Sequence, residues 1–285
     1  MSLKYYLLIL LYPAINCTSA QIIVQSGQIG LFNSANSFSI NPGGNIYVSD
    51  SGTNEIIKMD TLGNVLRTIG GYGWSESSFD NPADVYASTL NVYVSDKNNN
   101  RIQFLDKDLN FISQFSSGNI KDESSAFRYP LGSAVSTQGD LYILDSDNNR
   151  ILKFNSRGDF QAAVGSFDAG AFALNSPKQF AITSSKILVI DSKKLIVFDQ
   201  FGNGIRKINL DFNPDNINIT FRNICITDKS RIIYFNETDM DSGNLSPITF
   251  TPNLENEIID ALIFNSKLYI LTKESILIYN IIRQN

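Results

Sequence analysis

One short phrase recurs along this chain and constrains its fold more than any other property: a hydrophobic strand ending in an acidic residue, then a polar turn and another strand. It reads Ile46-Tyr47-Val48-Ser49-Asp50, then Val92-Tyr93-Val94-Ser95-Asp96, then Leu141-Tyr142-Ile143-Leu144-Asp145. Anchored on the terminal residue, further copies follow at Leu188-Val189-Ile190-Asp191, Ile232-Ile233-Tyr234-Phe235-Asn236 and Leu268-Tyr269-Ile270-Leu271-Thr272. Successive anchors lie 46, 49, 46, 45 and 36 residues apart, a spacing that predicts six stacked supersecondary units.

Within a unit the order is regular. A strand such as Phe180-Ala181-Ile182-Thr183 leads through a short turn into the signature strand. A tight loop then gives a third strand, as in Arg101-Ile102-Gln103-Phe104-Leu105, and a further turn a fourth, as in Phe111-Ile112-Ser113-Gln114-Phe115. Gly43-Gly44, Gly63-Asn64, Gly158-Asp159 and Gly202-Asn203 sit where hairpins need residues tolerant of positive φ. Four antiparallel strands per unit form a small sheet that buries both faces only between neighbours, so the expected fold is all-β, a six-bladed β-propeller. The abundance of Ile, Val, Phe and Tyr supports strands throughout. After Ile276-Leu277-Ile278-Tyr279 too few residues remain for an outer strand in the sixth unit. Ile22-Ile23-Val24-Gln25-Ser26-Gly27 offers the missing piece, so the N-terminal strand is expected to close the ring and hide its edges.

Residues 1–20 differ in character. Lys4 precedes an apolar run from Tyr5 to Tyr12, and Thr18-Ser19-Ala20 offers small residues for cleavage before Gln21. This is the layout of a secretory signal peptide, leaving 21–285 as a single domain of an exported, extracellular or periplasmic protein. The run is too short to span about 30 Å of hydrocarbon and Pro13 interrupts it, so stable membrane insertion is not expected. Lipid anchoring at Cys17 is the minor alternative. The remaining thiol, Cys225, lies in an apolar stretch and is expected to be a buried small hydrophobe. Net charge is −5 with no basic block, which argues against nucleic-acid partners. Asn218, Asn236 and Asn244 begin Asn-x-Ser/Thr acceptor sequences.

The motifs resemble the NHL repeat family of β-propellers. Phe79-Asp80-Asn81-Pro82 and Phe127-Arg128-Tyr129-Pro130 match the family's Phe-x-x-Pro lead-in. Asp96-Lys97-Asn98-Asn99-Asn100-Arg101 and Asp145-Ser146-Asp147-Asn148-Asn149-Arg150 match its Asp-x-x-Asn-x-Arg loop. The first unit loses the arginine, and the fourth to sixth shorten the loop. Asp50, Asp96, Asn99, Arg101, Asp145, Asn148, Arg150 and Asp191 are expected to be structural. Each carboxylate can accept backbone N–H groups of a neighbouring loop, and a catalytic residue would occur once, not in series.

The chain contains no histidine. This removes Ser-His-Asp hydrolysis, histidine acid–base catalysis and every His-ligated metal site. Propeller enzymes of the streptogramin lyase and amidating lyase families depend on histidines, so their mechanism is not expected here. Gluconolactonase-like propellers hold a divalent cation on carboxylate and amide oxygens in the central channel. The alternative reading is therefore a metal-dependent lactonase or esterase, with calcium or another divalent cation on Asp84, Glu257 and Asp260 near Asn81. That requires the three carboxylates to converge. The principal expectation is a non-enzymatic, cofactor-free monomer that binds a protein or glycan on its rim. The rim candidates are Tyr72, Trp74, Phe127 and Tyr129, aromatic anchors in the connections between units. For Phe79, Phe127 and Leu174 the favoured role is to plug gaps between blades.

Overall fold

A computed structural model describes residues 21–120, 122–241 and 247–283. The proposed signal peptide with Cys17, and Asn244, lie outside these residues. Six four-stranded antiparallel sheets form the ring. Blade I comprises β2 (Ala35–Ile40), β3 (Ile46–Asp50), β4 (Glu55–Met59) and β5 (Val65–Gly70). Blade II comprises β6 (Pro82–Ala87), β7 (Asn91–Asp96), β8 (Arg101–Asp106) and β9 (Phe111–Ser116). Blade III comprises β10 (Pro130–Val135), β11 (Leu141–Asp145), β12 (Arg150–Phe154) and β13 (Phe160–Val164). Blade IV comprises β14 (Pro177–Ile182), β15 (Lys186–Asp191), β16 (Lys194–Asp199) and β17 (Gly204–Asn209). Blade V comprises β18 (Asn216–Thr220), β19 (Asn223–Thr227), β20 (Ile232–Asn236) and β21 (Ile248–Phe250), with the short helix α1 (Glu237–Asp241) after β20. Blade VI comprises β22 (Asp260–Phe264), β23 (Lys267–Leu271), β24 (Ile276–Arg283) and β1 (Gln21–Ile29). No helix among the described residues is long and apolar enough to cross a membrane.

Burial follows from this stacking. Each face of a blade's middle strands meets a neighbouring blade, so β3 and β11 are buried at every position. This explains why the signature phrase is a continuous hydrophobic run rather than an alternating one. Outer strands such as β5 and β17 are almost wholly exposed and mostly polar or mixed. Six clusters of buried apolar residues fill the six gaps between adjacent blades, from Phe38, Met59 and Leu271 between blades VI and I to Ile232, Leu268 and Tyr279 between blades V and VI. Phe79 and Phe127 are fully buried in two of these gaps and Leu174 is buried in a third. Phe127 stacks on Phe115 with ring centroids 6.0 Å apart. Its apolar ring fills a gap between sheets, so Phe127 is not a rim residue.

The ring closes as the terminal strands predict. β1 pairs antiparallel with β24 from Ile22 opposite Ile282 to Ile29 opposite Ile276, with a bulge between Gln25 and Gly27. In blade V the repeat register differs from the sequence expectation. The strand that ends at Asn236 is the third of its blade, and the second ends at Thr227. The anchor is therefore Thr227, and the short interval of 36 residues (227 − 191) falls between blades IV and V. Blade V has no acidic residue at the end of its second strand, so the hydrophobic run ending in Asn236 imitates the motif.

The closing strand carries a direct test. Ile23 faces the gap between blades V and VI, whereas Val24 on the opposite face is 47% exposed. Ile23→Asp is expected to destabilise the chain by about 2–3 kcal/mol. That corresponds to a fall in Tm of roughly 4–12 °C for a domain of this size. Val24→Asp should stay within about 0.5 kcal/mol, and calorimetry of the two variants checks the assignment.

Candidate functional site

The repeated aspartates are consumed by the scaffold. Asp50 Oδ2 accepts from the backbone N–H of Asn33 at 2.6 Å, and its Oδ1 from those of Ser34 and Gly52 at 2.8 and 2.9 Å. Asp96 accepts from Asp80 N, Asn99 Nδ2 and Arg101 Nε at 2.8, 2.9 and 2.8 Å. Asp145 accepts from Arg128 N, Asn148 Nδ2 and Arg150 Nε at 3.0, 2.9 and 2.9 Å. Asp191 accepts from Asn175 N and Ser176 N at 3.0 and 2.7 Å. In each case the carboxylate at the end of a second strand holds the connection that arrives from the preceding blade. Asn54, Asn100 and Asn149, four residues after the aspartate, adopt the left-handed conformation that asparagine tolerates. Asn54 and Asn100 then reach the next connection, accepting from Asn81 N at 2.7 Å and Tyr129 N at 2.8 Å.

In blade II this clasp extends into the rim. Arg101 donates through Nη1 to the carbonyl of Trp74 at 2.7 Å, and through Nη2 to those of Ser75 and Ser78 at 3.0 and 2.9 Å. Asn99 donates to the carbonyl of Gly73 at 2.9 Å. Gly70 has φ +134, and a Cβ there would meet Asn54 O at 2.4 Å, so the loop can begin only with glycine. The loop backbone is thus pinned while its side chains are free. Tyr72 and Trp74 are 66% and 69% exposed and contact each other edge to face at 5.9 Å. Tyr129 is also exposed on this side of the ring, with φ +48, an unusual conformation for an aromatic residue.

The central channel holds two cavities. One, of about 540 Å³, opens where the inner strands begin and is lined by Asn81, Lys97, Lys178, Asp215, Lys229 and Glu257 among others. The other, of about 630 Å³, opens at the turns where the inner strands end. Its wall contains Asp84 on β6 and Asp260 on β22. A β-bulge follows the first residue of each of β2, β6, β10 and β14, and it places Ser37, Asp84, Gly132 and Gln179 at one register position. Ser37 Oγ donates to Asp84 at 2.6 Å and Ser133 N donates at 3.3 Å. Asn218 Nδ2 donates to Asp260 at 3.0 Å and to the carbonyl of Phe38 at 3.2 Å, while Ala261 N donates to Asp260 at 2.7 Å. Burial pushes the Asp84 carboxyl up to about 6. Burial, with a smaller contribution from the charge of Asp84, pushes Asp260 up to about 8. Burial raises the Cys225 thiol as well, so it is an inert core group.

The structure therefore brings together two of the three carboxylates of the metal reading. Glu257 lies in the other cavity, ion-paired with Lys229 at 3.1 Å. Among the described residues no three His, Cys, Asp or Glu side chains come together as a metal site requires. Asp84, Glu257 and Asp260 do not fit a divalent cation, and no hydrolytic step follows from them. Asn218, whose amide is engaged in the channel wall, is not presented for glycosylation in the folded chain. Gln179, Asn216 and the channel serines were not singled out by the sequence, and Asn218 was read only as a glycosylation acceptor, not as a channel residue. Bulges shift the strand alternation there, and the only hint is a polar residue two positions after Pro82, Pro177 and Pro214, a pattern that Gly132 after Pro130 breaks.

The family model described as 6-bladed beta-propeller matches residues 131–279, and that of the NHL repeat matches residues 79–103. No curated protein matches the chain significantly. Similar solved structures include a streptogramin B lyase, 13% identical with a TM-score of 0.61, over 92% of this chain and 98% of that one. They also include a catalytically inactive histidine-to-alanine variant of virginiamycin B lyase from Staphylococcus aureus with quinupristin, 11% identical with a TM-score of 0.62, over 92% of this chain and all of that one. At these identities the likeness is one of fold.

Asp96→Ala leaves the Arg101 guanidinium, 5% exposed, without its carboxylate. The expected loss is about 3–5 kcal/mol, read by denaturant unfolding. A second prediction concerns pH. The folded chain keeps the Asp260 proton up to about pH 8, against an ordinary value of 3.8. Folding takes up a proton in that window, so this carboxyl's contribution to stability is present below about pH 4 and is lost as pH rises to about 8. Asp260→Asn should remove this dependence. The Tm advantage of the variant should be near zero at about pH 4 and grow steadily as pH rises to about 8, as thermal scans across that range will show.

Proposed function

The chain belongs to the 6-bladed beta-propeller family, and from that premise we propose that it is an exported, monomeric binding propeller that recognises a protein or glycan through its rim, without catalysis. One observation carries this reading: Tyr72 and Trp74 are exposed on a loop whose backbone is held by Arg101 and Asn99. Exposed aromatics on a mobile loop lose entropy when they bind, whereas a pinned loop has already lost it. Large, rigid, amphipathic side chains presented in this way suit the centre of a recognition surface. Tyr129, locked nearby in sequence order on the next connection, extends the same side of the ring.

The non-catalytic part of the reading rests on composition and placement. The chain has no histidine, and loss of a histidine is what inactivates the virginiamycin B lyase variant that shares the fold. The aspartates of blades I to IV that recur at strand ends are occupied by loop N–H groups, asparagines and arginines. None of them is left to act as a base.

Trp74 is the single tryptophan of the chain, so its emission reports on this loop alone. Titration with glycan panels and candidate extracellular proteins should identify a ligand that blue-shifts the emission and shields it from acrylamide. Trp74→Phe together with Tyr72→Ala should weaken that ligand by about 100-fold, roughly 2–3 kcal/mol, with Tm unchanged. A ligand whose affinity survives both substitutions would place recognition elsewhere, and metal-dependent turnover of a lactone or ester would sink the non-enzymatic reading.

A further inference from the structure

We propose that the 630 Å³ cavity at the turn end of the channel is a binding site for a small organic cation, an amine whose ammonium sits by Asp84 and Asp260 and whose apolar body fills the mouth. The site is separate from the aromatic rim, which belongs to the connections at the other ends of the inner strands.

The size is that of a small-molecule site, within the roughly 300–1,000 Å³ range of ligand pockets. Its charge is one-sided. Among the described residues, Asp84 and Asp260 are the only charged ones in its wall, and no lysine or arginine lines it. Every hydrogen bond they accept comes from a neutral donor: a serine hydroxyl, an asparagine amide or backbone N–H groups. The second cavity is the internal contrast, since Lys97, Lys178 and Lys229 stand there beside Asp215 and Glu257. Two buried carboxyls facing one cavity without a cation are costly in an isolated protein, and an entering ammonium removes that cost.

The mouth is apolar and shaped. Leu90 and Phe221, at turns of blades II and V, are 64% and 63% exposed, and Tyr86, Ile182 and Ile219 line the wall behind them. Phe221 is held at φ +57 with its ring stacked on Phe264 at 6.1 Å. A bulky aromatic in the left-handed region is strained, and such strain collects at ligand clamps. An amphipathic cation satisfies both halves of the cavity, whereas an anion or a purely apolar molecule satisfies at most one.

Docking displaces the proton that the carboxyl pair holds when empty, so binding is coupled to pH. The titratable groups facing Asp260 are Asp84 from β6 and the Cys225 thiol from β19, with the Tyr86 phenol further along the wall donating to the carbonyl of Val135. Of these only the two carboxyls titrate between pH 5 and 9. Affinity for an amine that stays charged should therefore rise with pH over that interval.

Dansylcadaverine, a fluorescent primary amine with an apolar body, is a suitable probe, and its N-acetyl derivative is the neutral control. The unaltered chain should enhance and blue-shift dansylcadaverine emission saturably at pH 8. The acetylated probe should bind at least about tenfold more weakly, and lowering the pH to 5.5 should weaken the amine several-fold. Asp84→Asn combined with Asp260→Asn should reduce the amine to the affinity of the acetylated probe, while Trp74→Phe leaves it unchanged. Equal affinity for the two probes, or full retention of amine binding in the carboxamide variant, overturns the proposal. Absence of saturable binding does the same. Should the double variant fail to fold, the probe contrast and the pH series on the unaltered chain decide the matter. A failure of this test leaves the rim reading standing, since Trp74 reports that site independently.

Discussion

The structure depends on a carboxylate at the end of a second strand that accepts backbone N–H groups from the connection arriving from the blade before. A blade has two apolar faces and no core of its own, so it is stable only when its neighbour is held at a set distance and angle. The inter-blade gaps supply the apolar area, and Asp50, Asp96, Asp145 and Asp191 supply the geometry. Each carboxylate is buried, yet each meets N–H donors and, in blades II and III, a guanidinium. Buried charge of this kind is tolerated only with such partners. Where the acid is absent the contacts differ: Thr272 Oγ1 accepts from Ser275 N at 3.1 Å within its own turn, and the connection from blade V is held by backbone bonds from Ile258 N to Lys229 O and from Ile259 N to Leu271 O, each 2.8 Å.

That clasp also determines what the two ends of the ring present. On the side of the clasps, the connections are fastened down and their exposed side chains stand on a rigid base. Tyr72 and Trp74 owe their presentation to Arg101, a residue whose primary contact is a structural aspartate. On the opposite side the inner-strand turns are short, and the channel mouth is framed by Leu90 and Phe221. The two mouths differ in charge as well, cationic and anionic groups being mixed at one and carboxyls alone lining the other. A ring built from near-identical units thus acquires two chemically distinct ends.

The number of blades, the four-strand grammar and closure by the N-terminal strand were legible in the chain because they rest on local periodicity and on a count of missing strands. The structural aspartates were legible because recurrence distinguishes a scaffold device from a site. The register of blade V failed because a hydrophobic strand ending in Asn236 imitates the motif, although the second strand ends at Thr227. The metal reading failed because Glu257 lines the other cavity from Asp84 and Asp260. Of the two roles offered for Phe127, the favoured one, a plug between blades, is the one it takes, although it shares a connection with exposed Tyr129.

The sequence by itself determined the fold, since each unit repeats the same strand, turn and clasp, and those signals act over a few residues. Tertiary structure alone decided which carboxylates face one another. Asp84 and Asp260 are 176 residues apart (260 − 84), and they share a cavity only because the ring brings blades II and VI around one axis. Glu257, three residues from Asp260, is turned to the other mouth and to Lys229. Proximity in the chain says little about proximity in a channel, because inner strands run along its axis and a step of three residues moves a side chain about 10 Å toward the opposite end.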